Sequence, residues 1–207
     1  MRQVCARAVA RSVAIGAQVS YRDLAGFGRR EMTVPPDELS AEILYQIAAL
    51  DGVARAEGGR VSYVKPHGAL YNRAARDPEQ AAAIAAAVVS YDPSLPLLTL
   101  PGSATETAAA EVNLRTVTEA FADRGYADDG SLVPRGHPGA LVTDPGDVAA
   151  RAVAMVTDGV VETVAGHRLE LAARSVCVHG DTPGAVALAT AVRGALERAG
   201  VILAPFA

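Results

Sequence analysis

The chain has 207 residues, of which half are hydrophobic and 20% are charged, and its formal net charge is −4. This length fits one domain, and a composition this apolar excludes an intrinsically disordered chain. The acidic balance argues against a nucleic-acid-binding protein, because such proteins carry a basic excess that neutralises phosphates. No apolar stretch is long enough to span a membrane and the opening residues are charged, so we expect a soluble, cytoplasmic protein.

Helix-like and strand-like segments alternate along the chain. Strands are predicted at residues 13–17, 61–64, 97–100, 116–121, 175–178 and 201–203, with a small hairpin at residues 160–164 and 168–171. Helices are predicted at residues 2–12, 37–57, 104–112, 145–157 and 183–199, and a further helix begins at Pro78. Apolar strands that alternate with helices are typical of a parallel α/β sheet. Six central strands fit an open doubly wound sheet or an incomplete barrel.

Two of the helix starts carry a capping pattern. Asp77 precedes Pro78 and Asp144 precedes Pro145, which places an aspartate at the N-cap and a proline at the first helical position. Gln80 is spaced to complete a capping box with Asp77. The opening helix has neither a capping residue nor a preceding strand, so we expect the chain to begin within a domain.

Polar side chains follow four of the predicted strands. They lie in the loops at residues 18–30, 65–72, 122–130 and 179–181. Ligands of parallel α/β folds bind at the carboxyl ends of the strands. We therefore expect the four loops to converge on one site.

The loop at residues 65–72 is the densest of the four. Among the 19 lysine and arginine residues, Lys65 is the only lysine. A lysine ammonium binds an oxyanion as a compact point charge, and His67 beside it is a candidate general base. The alternative is a turn that Pro66 and Gly68 shape, in which His67 caps the next helix.

The last two loops contain further candidates. His179 and Asp181 could form a base with a nearby carboxylate or a pair of metal ligands, whereas the alternative is that Asp181 caps the final helix. Arg124 could bind a substrate carboxylate or form an ion pair with Asp123. In the first loop, Arg29 and Arg30 are candidates for phosphate binding, and the alternative for them is a solvated basic loop.

Several motifs of other enzyme classes are absent from the sequence. There is no phosphate-binding loop of the GxxxxGK type, no serine nucleophile elbow and no HExxH metal motif. Cys5 and Cys177 cannot build a four-ligand zinc site and are expected to pack in the interior. We assign no metal ligands from the sequence.

The four loops together resemble the LamB/YcsF family. The segments that carry the resemblance follow the family's order and spacing, and they are residues 16–17, 20–21, 26–30, 65–72, 121–126, 129–130, 135, 138–140, 179–181 and 183. The run at residues 65–72, KPHGALYN, is specific enough to make chance a poor explanation. The resemblance implies one LamB/YcsF-like domain over residues 1–207, with an irregular seven-stranded (β/α) barrel of the glycoside hydrolase/deacetylase type.

The resemblance also implies a reaction. Members of this family take part in the ATP-dependent hydrolytic ring opening of 5-oxoproline to glutamate, together with PxpB and PxpC partner subunits. The resemblance supports Lys65, His67, Arg124, His179 and Asp181 as site residues, with Lys65 and Arg124 binding anionic oxygens. From the resemblance and the residue patterns together, we assign catalytic roles to Lys65, His67, His179 and Asp181, substrate binding to Tyr71, Asn72, Asp123 and Arg124, phosphate binding to Arg29 and Arg30, and no metal ligand.

The chain departs from the family pattern in two places. Gln18-Val19 stands where much of the family has His-Pro, and glutamine cannot replace an imidazole as a base or a metal ligand. The family's Asp/Asn-rich first strand and Gly-Phe-His loop would precede Met1, so we expect a barrel without its first strand unit. Two alternatives stay open, a metal-dependent amide or sugar deacetylase and a non-catalytic chain that binds a partner. A homo-oligomer stays open as well.

Overall fold

The computed structural model describes all 207 residues, which divide into two compact units. The first unit comprises Met1–Val117 with Ala207, and the second comprises Thr118–Phe206. Parallel strands alternate with helices in both, which confirms the predicted α/β class. The prediction of a single domain that lacks a first strand unit stays a prediction.

The first unit contains three parallel strands in the order β1-β2-β3. Its elements are α1 (Arg2–Val9), β1 (Ile15–Val19), α2 (Pro36–Ala56), β2 (Val61–Pro66), α3 (Gly68–Ala74), α4 (Pro78–Tyr91), β3 (Leu97–Thr99) and α5 (Ala104–Glu111). One face of the sheet, with Val19 and Val64, packs against Ile43 of α2 and Ile84 of α4 in the core. The alternation of side chains along a strand therefore places Lys65 on the opposite face.

The second unit is built on the parallel pair β4 (Thr116–Phe121), whose first two residues precede the boundary, and β7 (Ser175–Cys177). Between them in the chain come α6 (Pro145–Thr157), β5 (Val160–Glu162) and β6 (Arg168–Glu170), and α7 (Ala185–Arg198) follows β7. Strands β5 and β6 pair antiparallel, which confirms the predicted hairpin. Val148 and Ala152 of α6 pack against Leu188 of α7 in the core of this unit.

Two strand predictions were wrong. Strand β1 ends at Val19 rather than at Ala17, so Gln18 lies inside it, opposite Lys65 of β2. The apolar run at residues 201–203 forms no strand. An apolar, β-branched run favours a strand only where a neighbouring strand offers hydrogen bonds, and Ile202 is instead exposed to solvent.

The helix starts follow the capping predictions with one correction. Asp77 and Asp144 each accept hydrogen bonds from two backbone N–H groups in the first turn of their helices. The capping box at Gln80 was wrong, because its side chain accepts a hydrogen bond from Tyr21 Oη and donates one to the Val34 carbonyl. Helix α3 was not predicted, since its seven residues are too short for a clear period.

Two glycines allow the loop at residues 23–30 to lie directly against the start of α3. Gly28 accepts a hydrogen bond from the Ala69 N–H at 2.9 Å, and Gly68 has a φ of +60°. A Cβ atom on Gly68 would lie only 2.3 Å from the Gly28 carbonyl oxygen. This contact therefore requires a residue with no side chain at position 68.

The contact can be tested by comparing Gly68→Ala with Gly102→Ala. Both glycines have a positive φ, but a Cβ atom on Gly102 would meet nothing within 4 Å. We expect Gly102→Ala to lower the free energy of unfolding by about 1–2 kcal/mol, the cost of the left-handed conformation. Gly68→Ala should cost about 1–3 kcal/mol more, because the loop must move away. Equal losses in chemical denaturation would contradict this account.

Candidate active site

Lys65 lies near the end of β2, on the sheet face away from the helices that form the core. Its Nζ lies 6.0 Å from the centre of the Tyr71 ring, so the buried aromatic face stabilises the cation. Asn72 beside it donates a hydrogen bond from Nδ2 to the Gly68 carbonyl at 3.1 Å. The structure thus brings Lys65 and Tyr71 together, and the substrate-binding role of Asn72 stays a prediction.

His67 is held by hydrogen bonds at both its backbone and its ring. Its N–H donates to the Val19 carbonyl at 2.7 Å, and Nε2 lies 2.9 Å from the Phe27 carbonyl oxygen. Because a carbonyl only accepts, Nε2 carries the proton, and the neutral ring has its lone pair on Nδ1. His67 occupies the N-cap position of α3, but its side chain makes no capping hydrogen bond.

The two arginines predicted to bind phosphate lie in different environments. Arg30 pairs with the buried carboxylate of Asp23, which also accepts a hydrogen bond from the Gly26 N–H. The Arg30 guanidinium holds the pKa of Asp23 down to about 2. The guanidinium carbon Cζ of Arg29 lies 5.1 Å from the centre of the Phe27 ring. The ion pair with Asp23 favours a structural role for Arg30, and the phosphate-binding role of Arg29 stays a prediction.

Phe27 is strained and exposed at the tip of this loop. Its φ is +57°, which is unusual for a residue with a bulky side chain, and 61% of it is exposed. The ring meets the His67 imidazole edge to face, with centroids 5.3 Å apart. Strained residues of this kind concentrate at binding and catalytic sites.

In the second unit, Asp123 and His179 form an acid–histidine pair in which the aspartate is buried. Phe121 of β4 is the register partner of Cys177 in β7, so the residues two positions beyond each strand also lie side by side. His179 Nδ1 lies 2.9 Å from both carboxylate oxygens of Asp123, and its backbone N–H donates to Oδ2 at 3.0 Å. Only 1% of the Asp123 side chain is exposed.

The surroundings of the pair keep the carboxylate ionised. Burial alone raises the pKa of Asp123, but the hydrogen bonds from His179 outweigh it, so the pKa lies below its usual value. The imidazole also stacks on Phe121, with ring centroids 5.7 Å apart. Since the carboxylate only accepts, the neutral His179 ring carries its proton on Nδ1 and presents a basic Nε2.

The structure changes the interpretation of the other residues predicted here. Both carboxylate oxygens of Asp123 accept hydrogen bonds from His179, which favours a role in orienting the His179 ring over direct substrate binding. Arg124 is also buried, and its guanidinium donates to the carbonyls of Ala140 at 3.0 Å and Val133 at 2.6 Å. These contacts favour a structural role for Arg124, and its role in binding substrate stays a prediction.

The carboxylate partner of His179 was predicted as Asp181, and it is Asp123 instead. Asp181 is exposed, and it does not cap the last helix either, because α7 begins at Ala185 with Gly184 at the N-cap. Its catalytic role stays a prediction. A turn after His179 separates Asp181 from the end of β7, whereas the register brings Asp123 alongside.

Two residues that hold the backbone at these strand ends were not predicted from the sequence. Gln46 of α2 accepts from the Ser20 N–H and donates to the Ser20 carbonyl, both at 2.9 Å. Arg151 of α6 donates to the carbonyls of Ala122 and Arg124. A signal existed for Arg151, because it lies on the same helix face as the buried Val148 and Met155.

No cluster of three or more histidine, cysteine, aspartate or glutamate side chains in the structure could hold a metal ion. None of the helices is both long enough and apolar enough to cross a membrane.

The lowered pKa of Asp123 predicts how stability depends on pH. A carboxyl group whose pKa is lower in the folded protein contributes stability above its unfolded pKa, and the contribution disappears as the pH falls through the folded value. At pH 6 we expect Asp123→Asn to lower the free energy of unfolding by about 2 kcal/mol. The difference from wild type should shrink below about pH 4, near the unfolded pKa of aspartate.

Chemical denaturation of both proteins between pH 3 and pH 6 measures this difference. In a His179→Asn background the Asp123→Asn substitution should cost less, because the donor is already gone. A difference from wild type that stays constant across this pH range would contradict the assignment.

Comparisons with known proteins agree with this fold. A family model described as the LamB/YcsF family matches residues 1–207. The A subunit of a 5-oxoprolinase from Streptomyces avermitilis is 59% identical over 207 residues, which are 100% of this chain and 83% of that protein. The A subunit of a 5-oxoprolinase from Paracidovorax citrulli is 55% identical over 197 residues, which are 95% of this chain and 78% of that protein.

A solved structure is also similar. The lactam utilization protein from Thermus thermophilus aligns with a TM-score of 0.92 and 47% sequence identity, covering 99% of this chain and 82% of that one. The match confirms the α/β fold that the resemblance implied. The chain belongs to the LamB/YcsF family.

Proposed function

We propose that this chain is the A subunit of a 5-oxoprolinase, which hydrolyses the ring amide of 5-oxoproline to give glutamate. The observation that carries the proposal is the Asp123–His179 pair beyond the ends of two parallel strands. A histidine whose Nδ1–H is held by a buried carboxylate has the arrangement of a general base. The relatives' name, 5-oxoprolinase, gives the substrate class.

Hydrolysis of the ring requires a base and then an acid. In the proposed step, His179 Nε2 takes a proton from water as the oxygen attacks the carbonyl carbon of the lactam. The carbon–nitrogen bond then breaks, and the nitrogen receives a proton from the imidazolium. Asp123 stays ionised and stabilises the imidazolium, which is consistent with the direction of its pKa shift.

Lys65 is the cation that we assign to the anionic group of the substrate. Its ammonium lies against the Tyr71 ring, and the partly covered position leaves it less hydrated than a surface lysine. We propose that it binds the carboxylate of 5-oxoproline. His67, with its ring proton committed to the Phe27 carbonyl, supports the loop that carries this lysine.

We propose that ATP is a co-substrate of the assembled enzyme and that PxpB and PxpC are its partner subunits. A five-membered lactam is a stable amide. Transfer of the γ-phosphoryl group of ATP to the lactam oxygen would release ADP and activate the carbon for attack by water. Breakage of the carbon–nitrogen bond would then leave an acyl phosphate, which a second water hydrolyses to glutamate and phosphate. The sequence contains no GxxxxGK loop, and the Arg30 guanidinium is bound to Asp23. A chain without a GxxxxGK loop needs either an unconventional nucleotide site or one that the partner subunits supply.

Substitution of His179 tests the proposed base. We expect His179→Gln to lower kcat for glutamate release, measured with ATP and both partner subunits, by about 100- to 10,000-fold, the usual contribution of a general base. His137→Gln is the matched control, because the side chain of His137 is exposed. Glutamate release by His179→Gln at the rate of wild type would contradict the assignment.

The single lysine allows a direct test of substrate binding. When only this chain of the complex carries ¹⁵N-lysine, one side-chain ammonium signal is expected, and 5-oxoproline should shift it. 2-Pyrrolidinone, which has the same ring without the carboxylate, should leave the signal in place. A signal that does not respond to saturating 5-oxoproline, or that responds equally to both compounds, would rule out Lys65 as the carboxylate ligand.

A further inference from the structure

Arg151 of α6 contacts the backbone on both sides of Asp123. Its Nε lies 3.2 Å from the Ala122 carbonyl oxygen, and its Nη2 lies 2.7 Å from the Arg124 carbonyl oxygen. A third contact, from Nη1 to the Glu162 carbonyl at 3.4 Å, ties the same guanidinium to β5. One side chain of a helix thus binds the residues immediately before and after the carboxylate.

The carbonyl of Asp123 itself is also bound. It accepts a hydrogen bond from the Val142 N–H at 3.0 Å, so three successive carbonyl groups have partners. Holding these carbonyls restrains the backbone dihedral angles at Asp123 and therefore the direction of its Cα–Cβ bond, from which the carboxylate extends. The carboxylate faces His179 squarely, with each of its oxygens 2.9 Å from Nδ1.

The position of Arg151 in its helix is unusual for an arginine with only a surface role. It lies on the face that carries the buried Val148, Ala152 and Met155, and its guanidinium is partly withdrawn from water. The planar group suits this task, because its rigid N–H groups donate in several directions at once. A lysine at this position could not hold both carbonyls in the same geometry.

We propose that Arg151 is a positioning residue for the Asp123–His179 pair. By holding the carbonyls of Ala122 and Arg124, it aligns the carboxylate that keeps the His179 proton on Nδ1. The inference rests on the proposed role of this pair as an oriented base. The alignment of the Asp123 carboxylate with His179 Nδ1 can, however, be measured directly, with no assay of enzymatic activity.

The test uses Arg151→Gln and Arg151→Lys with two readouts. The first is the low-field proton resonance of His179 Nδ1–H, which a well-aligned carboxylate protects from exchange with water. The second is the kinetics of glutamate release in the assembled enzyme. We expect the resonance to be lost or broadened in Arg151→Gln. We expect kcat to fall between about 10- and 100-fold with little change in KM, the effect of a small misplacement of a catalytic group.

Two controls separate positioning from general stability. Met155→Ala removes core volume from the same helix without touching the carbonyls, and Arg193→Gln removes an exposed arginine that pairs with Glu197. Both should keep the Nδ1–H resonance. If Arg151→Gln does not fold, Arg151→Lys serves as the test. We then expect a weakened Nδ1–H resonance and a smaller fall in kcat than for Arg151→Gln.

Each outcome has one meaning for the proposal. A resonance that persists unchanged in both Arg151 variants would overturn it, and so would an equal loss in Met155→Ala. If the resonance disappears in Arg151→Gln while the wild-type complex releases no glutamate, the positioning role stands and the proposed function fails.

Discussion

The second unit depends on one electrostatic constraint, a carboxylate that is almost completely removed from water. Asp123 would be costly to bury in isolation, and three contacts from His179 offset that cost. The pairing of β4 with β7 places the two residues side by side, and Arg151 of α6 binds the backbone carbonyls on both sides of Asp123. The hydrogen bonds from His179 that offset the burial of Asp123 also fix the tautomer of the His179 ring.

In the first unit, close backbone contacts orient the other histidine, His67. Gly68 lets the loop that contains Gly28 lie directly on the start of α3, and this brings the Phe27 carbonyl to His67 Nε2. The two histidines therefore differ in which ring nitrogen donates a hydrogen bond to the protein. His67 donates from Nε2 to a neutral carbonyl and supports a loop, whereas His179 donates from Nδ1 to a carboxylate and keeps a basic Nε2.

Much of the fold could be predicted from local sequence signals. Asp77 and Asp144 each precede a proline and cap their helices, and five of the six central strands form where apolar runs occur. The strand prediction at residues 201–203 was wrong because three apolar residues cannot show whether a neighbouring strand is available, and Ile202 is exposed to solvent. The capping box failed because Tyr21, distant in sequence, competes for the Gln80 side chain.

The site was less predictable because its contacts are long-range. The strand-end rule and the resemblance identified Lys65, His67 and His179 as candidates, but not the partner of His179. Asp123 and His179 are 56 positions apart, and only the register of β4 and β7 brings them together. The sequence likewise cannot show that Arg124 points at backbone carbonyls rather than at a ligand, because arginine serves both purposes.

The most direct test of this account is the protonation of the two imidazole rings, measured by ¹⁵N nuclear magnetic resonance on the wild-type chain. Signals are assigned with His67→Gln and His179→Gln. We predict that the neutral ring of His179 is protonated at Nδ1 and that the neutral ring of His67 is protonated at Nε2. A His179 ring protonated at Nε2, or one that populates both tautomers equally, would contradict the claim that Asp123 orients it as a base.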